Sequence, residues 1–182
     1  MDDRSGHAEQ PRLATLRGYG VLDTPNEPAF DLIVRKAKAA LDVPIVLVSL
    51  VDENRQWFKA RIGLDVTETP RCISFCTHAL FRSDMLIIPD AATDDRFAAN
   101  PLVTGAPHIR FYAGAPLKAP NGARIGTLCA IDTQPRSGLT EGQVATMERL
   151  AAETIEVMEK RRLKATAPAT PTRLAPAPNA YA

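Results

Sequence analysis

The segment that most constrains this chain runs from Arg110 to Asp132, where two apolar runs flank a strong turn signal. Phe111, Tyr112, Ala113, Ala115 and Leu117 make the first run; Ile125, Leu128, Cys129, Ala130 and Ile131 make the second. Between them sits Ala119-Pro120-Asn121-Gly122. Proline presets φ and Asn-Gly tolerates positive φ, so the two runs are predicted to pair as an antiparallel hairpin. Neither run alternates cleanly between apolar and polar residues, which places both strands in a sheet covered on its two faces. The loop before the hairpin brings Asp94, Asp95, Arg96, His108 and Arg110 to its entrance. Loops held by rigid strands are where binding groups tend to sit.

The covering elements are sought in the rest of the chain. Phe30, Ile33, Val34, Ala37 and Leu41 recur at helical spacing behind Thr24 and Asn26 as candidate caps, with Glu27 in the first turn. A shorter helix is expected over Pro11 to Arg17, stopped by Gly18-Tyr19-Gly20. Ile45 to Val51 is a continuous aliphatic run and reads as a central strand. Gln56 to Ile62 alternates, with Trp57, Lys59 and Arg61 on one face and Phe58, Ala60 and Ile62 on the other, as in a strand nearer an edge. Gly63 to Arg71 reads as loop, Ser74 to Phe81 as a short helix, Leu86 to Ile88 as a strand, and Arg96 to Asn100 as one helical turn. Leu139 to Arg162 is a long helix starting near Thr140, with Met147, Leu150, Ala151, Thr154, Ile155 and Met158 as its apolar stripe. This order predicts an α+β fold: an antiparallel sheet flanked by terminal helices that share one face.

The 182 residues suffice for one domain with tails: a flexible start over 1–10, a folded unit over 11–163, and a Pro/Ala-rich segment over 164–182 that is expected to be disordered. The net charge of +1 gives no support for nucleic acid or an acidic membrane surface as partner. No apolar stretch approaches the ~18 residues that would span a bilayer. Three cysteines do not build a disulfide framework, and together these features predict a cytoplasmic protein.

In family order over about residues 12–162, the segments LRGYGVLDTPNEPAFD, VSLVDENRQWFKARIGL, ETPRCISFCTHAL, PDAATDDRFAANPLVTG, IRFYAGAPL and GTLCAID resemble the GAF domains at the amino end of bacterial sensor histidine kinases and diguanylate cyclases. The resemblance implies a five- or six-stranded antiparallel sheet, GAF/PAS-like, with a ligand cavity formed by loops and short helices on one face and the terminal helices on the other. It also implies a homodimer formed through those helices and signalling to a histidine kinase or diguanylate cyclase in trans, because no such output domain follows within these residues. Bilin-attaching relatives place a cysteine next to a histidine. Here Thr77 separates Cys76 from His78, and the residue set of cyclic-nucleotide-binding relatives is missing, so neither ligand is expected.

Arg71, Cys72, Cys76 and His78 lie close in sequence, but zinc wants two closely spaced ligand pairs and only one such cluster exists, so no metal is expected. Cys129, in a buried-looking strand, reads as a small hydrophobe. For a cavity, Trp57, Phe75 and Phe111 are expected as apolar lining, with Cys76, His78, Arg96, His108 and Arg110 as polar or cationic groups for a small ligand of unknown identity. The competing role for Arg110 is a pair with Asp94 or Asp95 that pins the loop. The stripe of the last helix, Met147, Leu150, Ala151, Thr154, Ile155 and Met158, is expected to face a dimer or partner helix. The overall expectation is a non-catalytic sensory module; the alternatives are a cysteine-dependent redox enzyme resembling free methionine sulfoxide reductases and a ligand-free dimerisation scaffold.

Overall fold

The computed structural model describes residues 4–166. The elements follow as α1 (Arg4–Gly18), α2 (Pro28–Leu41), β1 (Ile45–Val51), β2 (Arg55–Ile62), β3 (Glu68–Pro70), α3 (Phe75–Leu80), β4 (Leu86–Ile88), α4 (Pro101–Thr104), β5 (Phe111–Lys118), β6 (Arg124–Asp132) and α5 (Glu141–Thr166). All six strands form one sheet in the order β3-β2-β1-β6-β5-β4, and every pair is antiparallel. The α+β fold is therefore as the sequence indicates.

The hairpin turn has the expected chemistry. Gly122 takes φ +86°, Ala119 N–H donates to Ala123 O at 2.8 Å, and Asn121 reaches across to Thr15 on α1. Close pairing of β1 with β6 depends on Gly126, where a Cβ would stand 2.0 Å from Ser49 O.

Both faces of the sheet are buried, which is why its central strands lack polar alternation. On one face Val46, Val48, Leu50, Leu128, Ala130, Phe111 and Ala113 pack with Leu16 of α1, Phe30, Ile33 and Ala37 of α2, and Met147, Leu150 and Met158 of α5. On the other, Ile45, Leu47, Val51, Tyr112, Cys129 and Ile131 pack beneath α3, Phe97 and Val103 of α4. The terminal helices thus share one face, as expected.

Several boundaries and contacts differ from the sequence reading. The first helix begins at Arg4, within the segment expected to be flexible, and runs through Pro11, which costs it one backbone hydrogen bond. Proline at a helix start is so common that Pro11 gave a false beginning. The last helix extends to Thr166; the remainder of the 164–182 segment lies outside the described residues. Its start was legible: Thr140 and Gln143 exchange hydrogen bonds as a capping box. The expected loop 63–71 contains β3, Arg96 to Asn100 is a turn, and α4 follows it behind Asn100, whose Oδ1 accepts from Leu102 N–H at 2.9 Å.

A bulge corrects the assignment of faces in β2. Val48 pairs with Ala60 but Ser49 pairs with Phe58, so Lys59 is an extra residue and Ala60 and Ile62 join Trp57 on the helix face. Lys59 is fully buried there. Its Nζ lies 2.7 Å from Glu27 Oε1 and donates to Thr24 Oγ1 at 2.8 Å and Pro25 O at 2.7 Å. Thr24 and Asn26 therefore do not cap α2: Glu27 is the N-cap residue, with no side-chain capping bond of its own. Glu27 instead holds Lys59 and, at 2.8 Å, Arg161 Nε, while Arg161 also donates to the carbonyls of Tyr19 and Gly20. Burial raises the Glu27 pKa, but Lys59 and Arg161 outweigh it and leave it lowered.

Candidate functional site

The polar wall of the site begins with Ser74. Its hydroxyl accepts from Thr77 N–H at 3.1 Å and so caps α3, which is why the helix starts at Phe75. The same hydroxyl donates to Gln56 Oε1 at 2.7 Å, and Gln56 Nε2 donates to Thr69 Oγ1 at 2.6 Å. Both ends of the Gln56 amide are thus held, tying α3 to β2 and β3.

In front of this wall lies a cavity of about 280 Å³ between the sheet, α3 and the loops before β3 and β5. That is about twice the size of a ~150 Å³ apolar cavity that takes up benzene. Ile45, Leu47, Phe58 and Ile131 form its floor, Phe75 and Tyr112 one side, and Leu64, Val66, Leu102, Pro107 and Ile109 the rim. Its polar groups are Gln56, Thr69, Cys76 and Tyr112, and no charged side chain lines it. Such a space favours an uncharged, largely apolar molecule, because a charge placed there would lose hydration without a counter-ion.

Cys76 meets Cys129 at the inner end of the cavity with their Sγ atoms 3.9 Å apart, and Tyr112 Oη donates to Cys76 Sγ at 3.4 Å. Tyr112 reaches that position by folding over Gly114, where a Cβ would lie 2.3 Å from its hydroxyl oxygen. Gly114 is the residue paired with Cys129 across the sheet, so a missing side chain on β5 places the phenol beside the thiols. Hydrogen bonding from Cys129, helped by nearby hydroxyls, pulls the Cys76 thiol below its ordinary pKa against burial, while the hydrogen bond with Cys76 and burial push Cys129 up. Burial raises Tyr112 as well.

Of the residues expected to line a cavity, the structure brings together Phe75 and Cys76 only. Trp57 and Phe111 are in the helix-face core, because strand parity sends Phe58 and Tyr112 to the cavity instead. His78 is exposed on the outer side of α3, its ring edge against Phe97 at 4.8 Å. Arg96 is paired with Asp94 at 2.6 Å and stands over Phe97 rather than in the cavity. His108 is exposed in the turn before β5, with φ +61°. Arg110 does pin a loop, but through a two-pronged pair with Asp90 at 2.6 Å and not with Asp94 or Asp95. Arg71 pairs with Glu9 of α1, Cys72 is exposed, and among the described residues no three His, Cys, Asp or Glu side chains converge as metal ligands.

The stripe of α5 is corrected too. Met147, Leu150, Ala151, Thr154, Ile155 and Met158 are all buried within the monomer, where they cover the sheet, and none is free for a partner helix.

Comparison with known proteins agrees with this architecture. The family model described as GAF domain matches residues 25–156, and the chain belongs to that family. A cyclic di-GMP phosphodiesterase of Pseudomonas aeruginosa is 43% identical over 143 residues, which cover 79% of this chain and 24% of the relative. The chain thus spans about a quarter of that protein's length. Among solved structures, the GAF domain of a phosphoenolpyruvate-protein phosphotransferase from Coxiella burnetii superposes with a TM-score of 0.64 at 19% identity, covering 86% of this chain and 97% of that one. A free methionine-R-sulfoxide reductase from Neisseria meningitidis in complex with its substrate gives 0.61 at 17% identity, covering 90% and 95%. At these identities the two structures share the fold alone. GAF membership supports a sensory or regulatory module. No helix among the described residues is long and apolar enough to cross a membrane.

Proposed function

We propose that this GAF domain is a regulatory module that takes a small, uncharged, largely apolar ligand into the cavity between α3 and the sheet. The observation that carries the reading is a 280 Å³ space with an apolar floor and rim, a fixed Gln56 amide at one wall and no charged lining residue. Binding there bears on β5 and β6, whose reverse faces carry the α5 stripe, so occupancy is one sheet thickness away from the long helix. We assign the domain no catalysis. We place it in the cytoplasm, acting as a dimer through surfaces outside the α5 stripe. The name of the Pseudomonas relative favours cyclic di-GMP turnover as the controlled output over a histidine kinase.

The test is native mass spectrometry on protein purified from its own host, followed by denaturation of the same sample. The reading expects a dimer carrying a small extra mass that disappears on denaturation. It also expects Leu102→Trp, which narrows the cavity from its rim, to lose that mass. Protein that never carries extra mass, or a mass that Leu102→Trp leaves in place, contradicts it.

A further inference from the structure

We propose that Cys76 and Cys129 form an oxidisable dithiol at the inner end of the cavity, and that its oxidant is an organic hydroperoxide whose apolar body occupies that cavity. The proposal rests on the reading of the cavity as an apolar ligand site and adds a covalent outcome to it.

Three features converge. The two Sγ atoms are 3.9 Å apart, so a short movement of α3 toward β6 closes a disulfide of about 2.05 Å. Cys76 lines the cavity whereas Cys129 stands behind it, which separates the thiol that meets the oxidant from the thiol that resolves the product. The Tyr112 hydroxyl is held against Cys76 by the absence of a side chain at Gly114. Of the two thiols only Cys76 both faces the cavity and accepts the Tyr112 hydroxyl, a donor that stabilises its thiolate there.

The chemistry balances as follows. The Cys76 thiolate attacks the terminal oxygen of R–O–O–H; the S–O bond forms, the O–O bond breaks, and the alkoxide takes a proton from the Tyr112 hydroxyl to leave as the alcohol R–OH. The proton lost when Cys76 ionised returns through solvent to Tyr112. Cys129 then attacks the sulfenic acid sulfur of Cys76; the S–S bond forms, the S–OH bond breaks, and hydroxide departs with the Cys129 proton as water. Two thiols and one hydroperoxide give one disulfide, one alcohol and one water, with two electrons passing from sulfur to peroxide oxygen. The disulfide joins α3 to β6 and so fixes one wall of the cavity.

The experiment exposes the reduced full chain to cumene hydroperoxide and, separately, to hydrogen peroxide at equal concentration. Free thiols are counted by alkylation and intact mass, and the bridge is located by peptide mapping. The proposal expects a 76–129 disulfide, formed with cumene hydroperoxide roughly tenfold faster or more, because only that oxidant buries an apolar body. Cys129→Ser should stop at a sulfenic acid on Cys76 that dimedone traps. Leu102→Trp keeps both thiols in place; it should slow cumene hydroperoxide by roughly tenfold and leave hydrogen peroxide unchanged. It also guards against a fault in the cysteine variants' folding. Absence of the 76–129 bridge with both oxidants overturns the dithiol while leaving ligand retention in native mass spectrometry untouched. Equal rates for the two oxidants, unaffected by Leu102→Trp, overturn the organic hydroperoxide and with it the cavity as its route, even with the disulfide formed.

Discussion

The two faces of the sheet carry similar residues and end in different states. On the helix face Leu128, Ala130 and Phe111 are covered by helices of 14 and 26 residues, long enough to lay continuous stripes across the strands. On the other face Leu47, Ile131 and Tyr112 are covered by helices of six and four residues and by loops, which leave part of the surface bare and enclose a cavity. The same aliphatic chemistry therefore gives a packed core where the cover is regular and a cavity where it is not. The continuous packing lies on the first face and the open space on the second.

Substitutions that break this contrast rank by how many packed atoms they remove. Leu150→Ala, in the middle of the α5 stripe, is expected to cost about 4 kcal/mol in chemical denaturation, since its neighbours are fixed and cannot collapse into the void. Glu27→Ala strands the fully buried Lys59 ammonium and releases Arg161, and should cost about 3 kcal/mol, the low end for a broken buried pair because Glu27 is one-third exposed. Leu47→Ala, on the cavity floor, should cost only about 2 kcal/mol, because one side of that residue already faces empty space and loses fewer contacts. Equal losses at Leu150 and Leu47 would erase the distinction between the faces.

A smaller effect concerns the link between them. Glu9 of α1 is held at a pKa of about 2, first by the Arg12 guanidinium and then by Arg71, which follows β3; burial opposes them. A carboxylate whose folded pKa is depressed stabilises the fold above its unfolded pKa and loses that contribution as pH falls toward the folded value. Stability should thus drop by on the order of 1 kcal/mol as pH falls from about 4.5 toward 2, and Glu9→Gln should flatten that part of the profile.

What the sequence made legible follows the same division. Regular periodicity announced α2, β1, the hairpin and α5, and the Asn121-Gly122 turn was legible from its residue types. The cavity was harder to read for three physical reasons. A continuous apolar run hides strand parity, so it does not tell Phe111 from Tyr112 as the ring that faces the cavity; Gly114, two residues on and on the same face as Tyr112, is the signal that a ring lies over the strand. The bulge at Lys59 switched the faces beyond it, and a lysine inside an alternating strand gives no sign that its buried ammonium has partners 32 to 35 residues upstream. The rim residues Leu64, Val66 and Ile109 sit in loops and Leu102 in the single turn of α4, where no periodicity marks an inward side chain. Charged loop residues are conspicuous in the sequence, but Arg96 and Arg110 are satisfied by Asp94 and Asp90.

The most direct measurement of the division between the faces is a methyl NMR titration of the full chain with indole, a neutral apolar probe with a single N–H donor. We expect saturable shifts at the methyls of Leu47, Leu64, Leu102, Ile109 and Ile131, with those of Leu16, Ile33 and Leu41 in the core beneath the terminal helices shifting far less. Shifts of equal size on both faces, or none that saturates on the cavity side, would contradict the account.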